Sequence, residues 1–316
     1  MNTGRKARLG LSGLVIAGMA AAALAAVSHA GASSSAQTAL SGPQPGAPLD
    51  HFVCYHVRQA AGSPPIPASV LLGDEFSAKN PDGSPIPTPV KVGAPTALCA
   101  PVTKYHQVGS TLYVYPVVHS TLHLVCFKIT ESTPTPRMFV STDNQFNPPG
   151  QKRILETGLP GTNVTAQSVC LPSHKSVDPA APPQGEPLGL LSHFKCYTAT
   201  ETEPTGQTVP GLPAKVWAQD QFSPTPIPQI SVNKVISLCN PAVKVVPGPN
   251  PQTFPEVNPD LHLVCFSISG GVTTVNKSVT VDNQFNPTGK FRTLAVLKAY
   301  ALCAPSFKAI IAPPPG

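Results

Sequence analysis

The feature that most constrains the fold of this chain is an internal repeat that accounts for every cysteine. Each copy begins with His-x-x-Cys-aromatic and ends with an aliphatic residue followed by Cys-x-Pro, so each carries two of the eight cysteines. A repeat of this kind predicts that one structural element is used several times. The four copies, called units 1 to 4, run from His51 to Pro101, His123 to Pro172, His193 to Pro241 and His262 to Pro305.

The odd-numbered and even-numbered units differ in their central segment. Each unit has Asp or Asn, then Glu or Gln, then Phe, and units 1 and 3 follow this with Pro-Ile-Pro. Units 2 and 4 share Asp-Asn-Gln-Phe-Asn-Pro-x-Gly-x-x-Arg, beginning at Asp143 and at Asp282. We therefore predict two tandem domains, each an odd–even pair. They cover residues 49–173 and 190–307, with a Pro-rich linker at 174–189 and a Pro-rich tail at 308–316.

The N-terminal segment predicts export. Arg5-Lys6-Ala7-Arg8 is positively charged, residues 9–27 are apolar and rich in Ala, and small residues follow at Ser28 and Ala30. This order is typical of a cleaved signal peptide, here residues 1–30. The apolar run is also about long enough for an uncleaved membrane anchor, which is the alternative. Residues 31–48 are rich in Ser, Ala, Gly and Pro and are predicted to be a disordered lead-in. The predicted location is secreted, periplasmic or in the cell envelope.

Eight cysteines in an exported chain predict four disulfide bonds. The four cysteines of each predicted domain allow three pairings. We favour pairing within each unit because each unit carries one complete pair, but the other pairings also suit a domain of two similar halves. Each bond should stabilise the fold by about 4 kcal/mol on the chain-entropy model. The predicted disulfide cysteines are Cys54, Cys99, Cys126, Cys170, Cys196, Cys239, Cys265 and Cys303.

The composition favours β-structure. The chain contains 40 prolines, which disfavour long helices because proline lacks a backbone donor and fixes φ. Short segments rich in β-branched and aromatic residues alternate with turn-forming residues, a pattern typical of a sandwich or barrel. We predict an all-β fold of two tandem, disulfide-stabilised β-sandwich or barrel-like domains. Each domain would be a pseudo-two-fold pair of half-domain repeats.

The charge excludes one class of partner. The net charge is +6, and three of the positive charges lie in the predicted leader. The mature chain is then only mildly basic, which argues against a nucleic-acid partner. We predict no cofactor and no resident metal. An envelope polysaccharide or an extracellular protein is the expected partner, with membrane association only if the leader stays uncleaved.

The even units contain the candidate ligand-binding residues. Asp can accept hydrogen bonds and Arg can clamp an anion, so a polar or sugar-like ligand is conceivable. In the alternative, Asp and Asn form turns, Asp and Arg form a local ion pair, and the histidines are structural. A zinc site at His-x-x-Cys is disfavoured because residues three apart on a strand face opposite sides. The candidate residues are His123, Asp143, Arg153, His262, Asp282 and Arg292.

No nucleophile, metalloprotease or phosphate-binding motif occurs in the sequence. The combination of His-x-x-Cys-aromatic, Asn/Asp-Gln-Phe and Leu-Cys-x-Pro resembles a family of uncharacterised secreted bacterial proteins that carry this module singly or in tandem. The resemblance covers nearly the whole mature chain and implies secretion and modularity, but no catalytic residues. We expect an exported, non-enzymatic binding protein or cell-envelope structural protein. The alternatives are an extracellular hydrolase that uses a His/Asp/Arg cluster of the even units, and a metal-binding protein.

Overall fold

The computed structural model describes residues 49–313, apart from 133, 149, 159–163, 179–180, 184–188, 203–208, 214, 224–226 and 272–273. The predicted signal peptide and lead-in therefore lie outside the described residues. In the described part of the chain we find no helix that could cross a membrane. The regular structure consists of strands, so the all-β prediction is confirmed. These are β1 His51–Gln59, β2 Ser69–Asp74, β3 Thr88–Val108, β4 Thr111–Tyr115, β5 His123–Glu131, β6 Phe139–Asn144, β7 Arg153–Thr157, β8 Ala166–Ser176, β9 His193–Glu201, β10 Val216–Gln219, β11 Gln229–Val246, β12 Gln252–Phe254, β13 His262–Ser269, β14 Thr274–Asp282 and β15 Arg292–Ile311.

Eight strands, two from each unit, form a closed ring. Their order is β1, β3, β5, β8, β9, β11, β13 and β15, and every neighbouring pair is antiparallel. The ring closes because β15 also pairs with β1. Each unit supplies its His-x-x-Cys strand and its Cys-x-Pro strand as neighbours. The fold is therefore barrel-like, and closure leaves these eight strands without a free edge in the ring.

The strand register limits the width of the barrel. Within each unit the two cysteines are directly opposite, as Cys54 is to Cys99. Between units the register shifts by two residues, because Cys99 lies opposite Leu124 rather than Cys126. The same shift recurs at all four junctions, so one circuit of the ring advances by eight residues. Eight strands with this stagger tilt by about 36° and enclose an interior that side chains can nearly fill.

Four of the remaining strands connect each unit to the unit two positions away. In the odd units, β2 of unit 1 pairs with β11 of unit 3, and β10 of unit 3 pairs with β3 of unit 1. In the even units, β6 pairs with β15 and β14 pairs with β8. These pairings cross between the two predicted domains, and the described residues belong to one compact unit. A division into two tandem domains is therefore not confirmed.

The Cys-x-Pro strand of each unit is longer than the sequence predicts. In unit 1 the sequence pattern predicts two short strands, at residues 91–92 and 97–100, but both are parts of the single strand β3. Pro95 interrupts the predicted pattern, and the structure accommodates it with register shifts on either side, which is where a sheet tolerates proline. Strand β8 extends into the predicted linker and β15 extends into the predicted tail.

Side chains of the ring alternate between two apolar clusters. On β1, Phe52 and Cys54 belong to a cluster that contains all eight cysteines, while Val53 and Tyr55 belong to a larger one. The cysteine cluster draws residues from all eight ring strands, which is possible only inside the barrel. The larger cluster covers the outer face, where the central Phe of each unit packs.

Candidate functional site

The eight cysteines form one layer inside the barrel, which we call the sulfur layer. All eight are buried, and each pair has Cα atoms 3.9 Å apart because its members are opposite each other on neighbouring strands. Sulfurs of different bonds also touch at two junctions. Cys54 Sγ lies 3.6 Å from Cys303 Sγ, and Cys170 Sγ lies 3.6 Å from Cys196 Sγ. The bonds join Cys54 to Cys99, Cys126 to Cys170, Cys196 to Cys239 and Cys265 to Cys303, which is pairing within each unit.

The residues on the two sides of the sulfur layer differ in size. Two residues before the first cysteine of each unit lies a large apolar side chain, and two residues before the second lies a small one. The large residues are Phe52, Leu124, Phe194 and Leu263, and all are buried. The small residues are Ala97, Ser168, Ser237 and Ala301. Large apolar side chains therefore occupy the interior below the sulfur layer, and the small ones leave more free space above it.

That free space is a cavity of about 820 Å³, called the upper cavity. All eight cysteines line its base, and the small residues Ser168, Ser237 and Ala301 line its wall. Polar side chains surround its rim. The rim residues include Thr96, Lys128, Thr130, Gln167, Thr198 and Tyr300. The arrangement combines an apolar base with a small number of polar groups, which is the usual composition of a small-molecule pocket.

Loops cover the other end of the barrel. Asp50 accepts hydrogen bonds from the backbone of Val118 and His119 at 2.6 and 2.9 Å. At the equivalent position of unit 3, Ser192 accepts bonds from the backbone of Val257 and Asn258 at 3.0 and 3.2 Å. A smaller cavity of about 370 Å³ lies under these loops, and its lining includes five leucines. These two polar residues hold the loops over the lower end, so the upper cavity offers the wider access to the interior.

A second set of sites lies on the outer face, at the junction of consecutive units. Each contains the initial His of one unit, a Lys five residues after the second Cys of that unit, and the central Gln or Glu and Phe of the next unit. The four lysines lie on the extensions of the Cys-x-Pro strands, and their amines stack over the Phe ring at 4.1–4.8 Å. We call these the lysine sites. Their lysines are Lys104, Lys175, Lys244 and Lys308.

The lysine sites hold buried amines. Lys104 Nζ donates to Gln145 Oε1 at 2.7 Å, and Lys244 donates to Gln284, which also bonds His193. Burial lowers the pKa of Lys104 well below its ordinary value and that of Lys175 to about 7. These lysines carried no sequence prediction, although their constant spacing from the second cysteine was a signal available in the repeat.

The histidines of the lysine sites are neutral. Gln221 donates to His123 Nε2 at 2.6 Å, and His123 Nδ1 donates to the Thr121 carbonyl at 3.0 Å. Burial lowers the pKa of His123 to about 3 and that of His262 to about 2, with a further contribution from the neighbouring lysine. The pKa of His51 and that of His193 are lowered in the same direction and mainly by burial. All four histidines are thus buried beside a lysine.

The site of unit 4 differs from the other three because Glu75 replaces Gln. Lys308 Nζ forms an ion pair with Glu75 Oε2, and His262 Nε2 lies 3.7 Å from the same carboxylate oxygen. The site faces a polar cavity of about 640 Å³ that Lys79 and Glu256 also line. Burial raises the pKa of Glu256, and the nearby carboxylates of Asp74 and Glu75 act in the same direction.

The structure places the six predicted ligand-binding residues in separate networks. Arg153 forms an ion pair with Glu201 at 2.9 Å rather than with Asp143. Asp143 faces away because it follows Thr142, the residue directly opposite Arg153 in the pairing of β6 with β7. The equivalent Arg292 donates to Gln59 at 2.7 Å and to the Pro64 carbonyl at 2.9 Å. His123 and His262 belong to two different lysine sites. Asp282 lies opposite His174 in the pairing of β14 with β8.

A metal site would need free ligands. All eight cysteines are bonded in disulfides, and within the described residues no three His, Cys, Asp or Glu side chains are grouped so that they could hold a metal ion.

Comparison with protein-family models found no match. Comparisons with curated proteins and with solved structures found no significant match. The resemblance to secreted bacterial modules therefore stays a prediction, and the geometry of the barrel must carry the functional argument.

Proposed function

We propose that this protein is an exported, non-enzymatic binding protein that holds a small, mainly apolar molecule in the upper cavity of its barrel. The observation that carries the proposal is the cavity of about 820 Å³ above the sulfur layer. Ligand pockets typically have volumes of roughly 300–1,000 Å³ and are concave and mostly apolar. Eight-stranded barrels are a known architecture for holding one small ligand.

The lining of the cavity indicates the chemistry of the ligand. Disulfide sulfur and aliphatic carbon at the base offer dispersion contacts but no strong donor, so they favour an apolar group. At the rim, the ammonium group of Lys128 and the amide of Gln167 offer donors to a polar end. A molecule with one apolar and one polar or anionic end would match both regions.

Export is supported by the disulfides and by the leader. Four disulfides indicate an oxidising compartment outside the cytosol, either extracellular or periplasmic. The signal peptide predicted over residues 1–30 would deliver the chain there. A binding role is preferred to catalysis because all four histidines are buried beside a lysine, and only His262 differs from its copies, through its contact with Glu75.

Ligand titration of the mature protein tests the proposal. The probes are a fluorescent fatty acid, a naphthyl sulfonate, envelope polysaccharides and peptides. We expect the apolar fluorophores to bind, and Ser237→Trp, which fills the upper cavity, to weaken their binding about tenfold or more. Lys234→Trp is the matched control, because Lys234 is exposed on the same strand and does not line the cavity. Equal binding by both variants, or binding of the polymers alone, would contradict the proposal.

A second candidate function is hydrolysis at the lysine site of unit 4. It is favoured by one observation, the replacement of Gln by Glu75 beside a polar cavity of about 640 Å³. A carboxylate and an imidazole in one cavity are a combination that general acid–base catalysis uses. If this function is correct, Glu75→Gln should abolish hydrolysis of a polysaccharide or peptide while leaving fluorophore binding unchanged. Activity retained by the variant would reject it.

A further inference from the structure

The four disulfides are not isolated from one another. The contact of 3.6 Å between Cys54 Sγ and Cys303 Sγ joins two bonds into a row that runs Cys99–Cys54, then Cys303–Cys265. The contact between Cys170 and Cys196 makes a second row from the remaining two bonds. Among the described residues, no sulfur contact of this kind joins Cys99 to Cys126 or Cys239 to Cys265. The sulfur layer is therefore divided into two rows of four sulfurs.

We propose that the sulfur layer is a thiol–disulfide exchange site in which the bonds act as two coupled pairs, and that its substrate is a small thiol entering through the upper cavity. The inference rests on the proposed function only for this route of entry. The contact between neighbouring sulfurs does not depend on any bound ligand.

The exchange needs no external oxidant. A small thiolate attacks Cys99 Sγ and forms a mixed disulfide, and Cys54 leaves as a thiolate with the electron pair of the broken bond. The Cys54 thiolate then attacks Cys303 Sγ, which lies in contact with it, and Cys265 leaves and takes up a proton. The number of disulfide bonds is unchanged at each step. The mixed disulfide stays on Cys99, and the free thiol has moved to Cys265 of the neighbouring unit 4.

The cavity makes this chemistry accessible. All eight cysteines line the upper cavity, whereas a structural disulfide packed inside a filled core is shielded from attacking thiols. The small residues above the layer, such as Ala301 and Ser237, leave the sulfurs open on that side. This arrangement accounts for why the space above the layer is not filled by the large side chains found below it.

Two variants of the same disulfide test the coupling without any ligand. Cys99→Ser leaves a thiol at Cys54, which touches Cys303, whereas Cys54→Ser leaves a thiol at Cys99 without such a contact. Both variants lose the same bond and keep three others. After incubation at pH 8, alkylation and peptide mapping should find label on Cys265 as well as Cys54 in Cys99→Ser, and on Cys99 alone in Cys54→Ser. Label confined to Cys54 in the first variant would overturn the proposal.

The second row gives an independent measurement if either variant fails to fold. Cys126→Ser leaves Cys170 beside Cys196, and Cys170→Ser leaves Cys126, so the expected label appears on Cys239 only in Cys126→Ser. In the wild-type protein, a short treatment with 2-mercaptoethanol followed by acid quenching should yield peptides joined through Cys54–Cys303 or Cys170–Cys196. Recovery of native pairs alone would overturn the coupling but leave ligand binding in the cavity untouched, since Ser237→Trp tests that separately.

Discussion

The odd and even units use different side chains to pack the aromatic residue that follows the first cysteine. In the odd units the aromatic residue after the first cysteine is Tyr, and Tyr55 donates to Asp220 at 2.7 Å while Tyr197 donates to Asp74 at 3.2 Å. In the even units that residue is Phe, and Phe127 packs on Phe285 with ring centroids 4.9 Å apart.

The turn residue differs accordingly. Where the odd units have Asp, the even units have Asn. The Asp carboxylate accepts a hydrogen bond from a tyrosine, whereas the Asn amide donates one to a serine. Asn283 donates to Ser173 and Asn144 donates to Ser306, both at 3.1 Å. The odd units have Val102 and Ala242 at the positions of these serines.

In these contacts each unit packs against the unit two positions away in the chain. Every one of these contacts joins unit 1 to unit 3 or unit 2 to unit 4, so in this set of contacts odd meets odd and even meets even. The similarity of odd to odd and even to even in the sequence is thus explained by contact between the similar units. It follows that Tyr with Asp, and Phe with Asn and Ser, are complementary sets that should not be mixed.

The largest expected effect is the dependence of the free energy of unfolding on pH. It comes from the buried neutral histidine that odd and even units share. The folded pKa of His123, about 3, and of His262, about 2, lie below the ordinary value of 6.5. Between these values the unfolded chain binds a proton that the folded chain does not, so stability is lost as pH falls through 6.5. Each histidine should contribute up to about 1.4 kcal/mol per pH unit.

Urea denaturation with the disulfides intact, at pH 7 and pH 5, measures this loss. His123→Gln should reduce the pH dependence by the share of one histidine, and His56→Gln is the control because His56 is exposed. The same pH dependence in both variants would argue against a neutral buried histidine.

The next effect comes from mixing the two sets. Asn283 is fully buried, and Asn283→Asp would place a carboxylate opposite Phe127, where there is no tyrosine hydroxyl to donate. We expect a loss of about 3 kcal/mol in the free energy of unfolding, because an unpaired buried charge is costly. Adding Phe127→Tyr should recover much of the loss by recreating the odd set.

A double-mutant cycle measured by urea denaturation gives the coupling between these two positions. Phe127→Tyr alone serves as the control, since it adds a hydroxyl without its carboxylate. If the effects of the two substitutions were additive, the residues at positions 127 and 283 would act independently, and the idea of complementary odd and even sets would be wrong.

The sequence was sufficient to predict the all-β class, the pairing of the cysteines within each unit and the separation of His and Cys onto opposite faces. Each of these depends on local pattern, such as the alternation along His51 to Tyr55. The closed ring was not predictable in the same way. Whether β15 pairs with β1 depends on contacts between residues about as far apart as the chain allows, and periodicity carries no information on such pairing.

The candidate sites show the same limit. The sequence made Asp143 and Arg153 candidates for one polar pocket or for a local ion pair, but across the pairing of β6 with β7 they do not face each other. The upper cavity could have been inferred from the small residue two positions before the second cysteine of every unit. That inference would have required knowing that these residues share one interior, which only the register between units establishes.

The smallest expected effect isolates one hydrogen bond of the even set. Ser306→Ala copies the residue that unit 3 has at this position, Ala242, and removes the acceptor of the Asn144 amide. Because both side chains are buried, the amide is left without its partner and the free energy of unfolding should fall by about 1 kcal/mol. Ser278→Ala, at an exposed position, is the control and should change stability little. If Ser306→Ala were as stable as the wild-type protein, the serine would be dispensable, and the even set would consist of the Phe–Phe contact alone.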